Sequence, residues 1–133
     1  MANATFRHGE PLMIDYTPSA GDVEAGDIVV LGTIGTNTGG TGALACVAHR
    51  PIANNALGAL ACGGGVYDII SLQNSVLGTK VWWDDATPTK VTTTSTNNAL
   101  FGIVVGDAGG GANTVCKVLH TPTLQGTVST AAT

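Results

Sequence analysis

The chain has 133 residues, a formal charge of −4, and 11% charged side chains against 44% hydrophobic ones. A single domain of this length buries roughly two-thirds of the surface its unfolded chain exposes, so it can build a core without staples. The five basic residues, Arg7, Arg50, Lys80, Lys90 and Lys117, stand singly and offer nucleic acid no electrostatic footprint, and no apolar run approaches the roughly 18 residues of a membrane span.

Nineteen Gly and nineteen Thr favour turns and strands over helices, because Gly punctuates the chain and Thr suits a pleated, half-buried surface. Residues 1–20 read as an extended arm ending in a strand, with Leu12, Ile14 and Tyr16 on one face and Pro18 closing it. Residues 20–27 form a turn, and Ile28 to Leu31 is an apolar strand. A glycine-rich loop follows from Gly32 to Gly42. Strands are predicted at Ala43 to Ala48, Ala59 to Cys62 and Val66 to Ile70, and a weak helical turn at Leu72 to Leu77.

Next come three strands, Lys80 to Asp84, Val91 to Thr96 and Leu100 to Val105, read as a meander. Asp85 to Thr89 joins the first pair, and Asn97-Asn98 is expected to form a two-residue hairpin turn between the second and third, since Asn tolerates positive φ. Alternation sets Val81 and Trp83 on one face and Lys80, Trp82 and Asp84 on the other. After the loop Gly106 to Asn113 a last strand runs Thr114 to His120. The expectation is an all-β domain, residues 21–120, of eight or nine short strands in a closed or partly closed barrel, with residues 1–20 as an arm and 121–133 as a tail.

Cys46, Cys62 and Cys116 form an odd set with no C-x-x-C pair, and the N-terminus shows no secretory apolar region. All three are expected to be free thiols made in a reducing cytoplasm, packed as small hydrophobes. Gly40-Thr-Gly42-Ala-Leu-Ala45 matches a dinucleotide fingerprint, but the run after it is β-like and no acidic residue lies about 20 positions on. No P-loop motif exists. Cys46 and His49 have zinc-ligand spacing without a local second pair, so Cys62, Cys116, His8 or His120 would have to converge by folding. Asp84 and Asp85 point apart on a strand, and none of the serines at 19, 71, 75, 95 and 129 sits in a G-x-S-x-G elbow. The expectation is a non-enzyme with no catalytic residue, cofactor or metal. Trp82, flanked by Lys80 and Asp84, is the candidate for recognition: an interface anchor, or a stacking platform if the chain is a carbohydrate-binding adhesin.

Six segments then occur in order: Asp15-Tyr-Thr-Pro18; Ala25-Gly-Asp-Ile-Val-Val-Leu-Gly32; Leu57-Gly-Ala-Leu-Ala61 with Gly65-Val-Tyr-Asp-Ile69; Gly78-Thr-Lys-Val-Trp-Trp-Asp84; Lys90-Val-Thr-Thr-Thr94; and Leu100-Phe-Gly-Ile-Val104. Together, over residues 12–120, they resemble the capsid cement, or head-decoration, proteins of tailed bacteriophages. A recombinase label sometimes given to that family finds no P-loop or basic groove here. The resemblance implies a small β-barrel or β-tulip-like domain on the outer surface of the virion capsid, bound to the major capsid protein, commonly as a homotrimer at local threefold axes. Such a role needs a rigid scaffold, arms and low-charge adhesive surfaces, and Phe6, Arg7, Leu12, Ile14, Tyr16 and Trp82 are the candidate interface residues. The 32–42 loop and the 121–133 tail extend beyond the family pattern.

Overall fold

The computed structural model describes residues 4–32, 43–72, 76–84, 90–94, 98–106 and 111–123. Among them are ten strands and no helix: β1 (Thr5–Gly9), β2 (Met13–Tyr16), β3 (Ile28–Gly32), β4 (Ala43–Val47), β5 (Gly58–Ala61), β6 (Gly65–Ser71), β7 (Lys80–Trp83), β8 (Lys90–Thr92), β9 (Ala99–Gly106) and β10 (Thr114–His120). The strand beyond the expected nine is β1, inside the segment read as an arm. Most of the glycine-rich loop, the centre of the 72–77 turn, Asp85 to Thr89, Asn97, most of the 106–113 loop and nearly all of the tail lie outside the described residues.

The strands β6, β10, β9, β7 and β8 follow one another in that order with antiparallel neighbours. The sheet then closes on itself: β8 returns to β6 in parallel, with Ile70 opposite Lys90 and Ser71 opposite Val91. Closure pairs strand edges that would otherwise be free to aggregate. The part of that β6 edge not taken by β8 is taken by β1, from Thr5 opposite Asp68 to Gly9 opposite Gly65. The N-terminal segment is therefore seated on its own barrel.

The second sheet, ordered β2-β5-β4-β3, is wholly antiparallel. Both its faces carry apolar clusters, which is why its strands read IVVLG, ALACV and GALA with few polar residues between. Its inner face contributes Ile28, Ala45, Val47 and Ala61 to the main core, where they meet Tyr67, Trp83, Phe101 and Val118 of the barrel. Its outer face, with Cys46 and Leu60, forms a second core closed by Ile52 and by the half-buried Ile14 and Tyr16. A ladder of backbone bonds, Ala4 to Gly26 to Ala48, ties the start of β1 to this sheet at 3.0 and 2.6 Å.

Two features depart from the predicted pattern. The three-strand meander is not one: β7 lies in the middle, pairing β8 on one side and β9 on the other, while β9 pairs β10. Asn97-Asn98 therefore does not join paired neighbours. Barrel closure explains this, because the far edge of β8 must satisfy β6 and the far edge of β9 is already taken. Asn98 is buried and donates from Nδ2 to the Thr94 carbonyl at 2.8 Å. The predicted strand to Thr96 also ends early, at Thr92.

The second departure is a set of bulges. Val81 opposes Gly102 and Trp82 opposes Leu100, which leaves Phe101 as the extra residue of β9. The same happens to Val105, between Gly106 opposite Lys117 and Val104 opposite Val118, and to Arg7 in β1. Each bulge resets which side chain faces inward. Phe101 is fully buried, whereas Val105 is 45% exposed in the middle of an apolar run.

Candidate functional site

The structure separates the six interface candidates. Phe6 rests on the His49 ring, centroids 4.6 Å apart, and on Tyr67 at 5.6 Å, yet keeps 39% of its surface exposed. Arg7 Nε lies 3.5 Å from Asp68 Oδ2, and Lys117 Nζ reaches the other carboxylate oxygen at 3.4 Å. These partly exposed pairs contribute little stability individually; the first joins β1 to β6 and the second joins β10 to β6. Ile14 and Tyr16 turn toward the second core, opposite Leu60 and Gly58. Leu12 precedes β2 and is 68% exposed. Trp82 is half-buried on the outer wall of the barrel, opposite Leu100 and Thr92, while Trp83 beside it is fully enclosed, so the predicted alternation of the pair is what the fold uses.

Beneath Phe6 the two sheets meet through aromatic rings. Tyr67 touches His49, Phe101 and His120, and Phe101 and His120 are 4.6 Å apart. His49 Nε2 and the Tyr67 hydroxyl share a hydrogen bond of 2.6 Å, and His120 Nε2 donates to the Ala45 carbonyl at 2.7 Å. That bond leaves Nδ1 of His120 unprotonated and without a protein partner. Burial pushes the His120 imidazole down to about 4, only partly offset by the bond to Ala45 and reinforced by His49; burial lowers His49 as well. Tyr67 is pushed up in turn, chiefly by burial.

The sign follows from linkage. Unfolded His120 takes up a proton near pH 6.5 and the folded form does so only near 4, so stability is full above about 6.5 and falls as the pH is lowered through 4. The expected loss from this residue is about 3 kcal/mol. Urea titrations between pH 7 and 4 should show that decline, and His120→Gln, which can still donate to Ala45, should flatten it. An equally steep decline in the variant would assign the effect to carboxylates instead.

Among the described residues the zinc ligands considered from sequence do not converge. Cys46 packs in the second core and His49 at the aromatic joint, so their C-x-x-H spacing does not converge. Cys116 is committed to the Ile69 carbonyl at 3.5 Å. Among the described residues no group of three or more His, Cys, Asp or Glu side chains is arranged to hold a metal ion. The glycines of the dinucleotide-like motif lie outside the described residues, and they lead into strand β4 rather than a helix. Asp85 and the serines at 75, 95 and 129 also lie outside; Ser71 is enclosed in the barrel. The clefts are shallow. One of about 300 Å³ lies between Ala4, Phe6, Gly26 and His49, and another of about 420 Å³ runs along Tyr16, Val23 and Val30 toward Trp83.

What sequence reading missed is which apolar residues face solvent. Leu57, inside an apolar, strand-like run, is 72% exposed and lines a cleft with Met13, itself 43% exposed. At the opposite end of the barrel Leu77, Val76, Val115 and Val105 are exposed by 64, 57, 49 and 45%. Runs of apolar residues carried no signal that these would face solvent; the bulge at Val105 and the turn before Gly58 decide it. Over Phe6 to Leu119, the span that carries both sheets, the chain matches a family model described as phage cement protein. No curated protein and no solved structure matches it. The match covers residues 6–119, which carry both sheets, and it places this chain in the phage cement protein family, whose role is structural.

Proposed function

We propose that this protein binds the outer surface of an assembled phage capsid as a homotrimer and stabilises the shell. The observation that carries the reading is the family match from residue 6 to 119, which spans β1 to β10. Low charge and apolar surface at two opposite ends of the molecule support it. One end presents Leu12, Met13 and Leu57 beside the small sheet, and the other presents Val76, Leu77 and Val115. A particle with adhesive surface at both ends can bridge neighbours, and many copies on one shell multiply modest contacts through effective concentration.

Of the candidates, Leu12 and Trp82 are proposed to touch partners. Phe6, Arg7, Ile14 and Tyr16 are proposed to act by holding β1 and β2 in place. No observation favours the carbohydrate-binding alternative, since stacking a sugar needs an open ring face and Trp82 is half-buried.

Adding purified protein to undecorated heads should raise their resistance to heat and osmotic shock, with light scattering giving a trimer. Absence of binding to the mature shell over a range of salt would overturn the proposal. Trp82→Ala is expected to lower shell affinity about tenfold, about 1.4 kcal/mol, with the β circular-dichroism signature retained. Unchanged affinity would remove Trp82 from the contact.

A further inference from the structure

We propose that Cys46 and Cys62 form a cross-strand thiol pair that closes to a disulfide on meeting an oxidising small-molecule disulfide, stapling β4 to β5. The register carries this. Strands β4 and β5 pair at one position, Val47 opposite Ala61, and extending that antiparallel register by one residue, just past the end of β5, would set Cys46 opposite Cys62. The amide directions define the type of that pair. Ala48 N donates away from β5, to Asp27 O, and Cys62 N donates away from β4, to Leu12 O, at 2.9 and 2.8 Å. Residues 46 and 62 thus form a non-hydrogen-bonded pair, the type in which Cα atoms approach to roughly 4.5 Å. That falls inside the roughly 4.4–6.8 Å that a disulfide accepts.

Both side chains face the second core. Their thiols now turn apart, Cys46 Sγ toward the Leu44 carbonyl at 3.8 Å and Cys62 Sγ toward the Leu12 carbonyl at 3.3 Å, so closure needs side-chain rotation rather than strand movement. The electrostatic coupling of the two thiols reflects the same proximity.

The exchange balances. The half-exposed Cys62, as thiolate, attacks one sulfur of the small disulfide and expels its first thiol. Cys46 Sγ then attacks Cys62 Sγ and expels the second thiol, which carries off the Cys46 proton. Two protein thiols are oxidised and one disulfide is reduced to two thiols. In the reduced protein burial, with the charge of Cys62 behind it, pushes the Cys46 thiol up to about 12; burial persists once Cys62 is a mixed disulfide, so the second step is slow at neutral pH and quickens in alkali. The gain is located where the small sheet has one paired position between its halves, and the link restricts the unfolded chain. A shell protein made reduced and released into an oxidising medium would acquire the staple at release; that consequence rests on the capsid reading, whereas the chemistry does not.

The test uses the full chain with oxidised glutathione, followed by denaturation, alkylation with iodoacetamide, intact mass and peptide mapping. The expected product has lost two hydrogens, carries one alkyl group, at Cys116, and links Cys46 to Cys62. It melts several degrees above the reduced form. Cys62→Ser abolishes the gain, and Cys46→Ser stops at a glutathione adduct on Cys62. Three alkylated cysteines, a persistent adduct on wild-type Cys62, or disulfide-linked dimers would each overturn the proposal.

Discussion

Trp83→Ala is expected to cost about 3–5 kcal/mol of folding stability, a fall in melting temperature of roughly ten degrees or more. Trp83 is 1% exposed and sits in the main core among Val81, Val91 and Ala99, with Val91 and Ala99 directly opposite it on the flanking strands. Strand β8 has three residues, and its Val91 is the inward side chain that Trp83 packs against across the ladder. Removing the indole therefore loses its transfer energy, leaves a cavity no neighbour on this closed sheet can collapse into, and loosens the strand that closes the barrel. Urea unfolding followed by circular dichroism reads the loss directly. A loss below about 1 kcal/mol, or a larger loss from Trp82→Ala, would mean that the face assignment is wrong by one residue.

Gly102→Ala is expected to be comparably damaging although it adds a single methyl group. A Cβ there would overlap the Leu119 carbonyl oxygen and come within 2.8 Å of Val118 Cγ1. Gly102 follows the bulged Phe101 and stands opposite both Val81 and His120, between β7 and β10. The obstacle is backbone, so the methyl can be accommodated only by parting β9 from β10 or by undoing the bulge that aims Phe101 at His120. The expected cost is about 3 kcal/mol, at the upper end for overpacking. Near-ultraviolet circular dichroism should weaken with it, because Phe101 and Tyr67 lose their fixed packing. Retained near-ultraviolet signal and a midpoint within about 0.5 kcal/mol of wild type would show that β10 can yield. Gly106→Ala provides a milder comparison, since its nearest neighbour is the flexible Lys117 side chain at 3.3 Å.

The two tryptophans show how much is legible before folding. In β7 the period-two rule acts alone, so the burial of Val81 and Trp83 and the half-exposure of Lys80 and Trp82 follow from order along the chain. In β9 it does not act alone. An alternation reading of Ala99 to Gly106 misassigns its two ends, because the extra residues at Phe101 and Val105 are set by partner strands far away in sequence. The candidate surface divides the same way. Leu12 is readable as a candidate from its place in the N-terminal segment and stands exposed, but Leu57 and Val105 belong to apolar runs and stand in solvent because of the turn and the bulge that hold them.

By itself, then, the sequence determined the class: strands and turns from Gly, Thr and alternation, most strand positions, the orientation of the Trp pair, and a family likeness carried by local turn chemistry. Tertiary structure alone decided which strands pair. The parallel return of β8 to β6, the seating of β1 on the remaining β6 edge, and the pairing of Val47 with Ala61 all depend on contacts between residues distant in the chain. A strand's periodicity states which side chains share a face; it contains no information about which neighbour will satisfy its edges, and closing a barrel is a decision about edges.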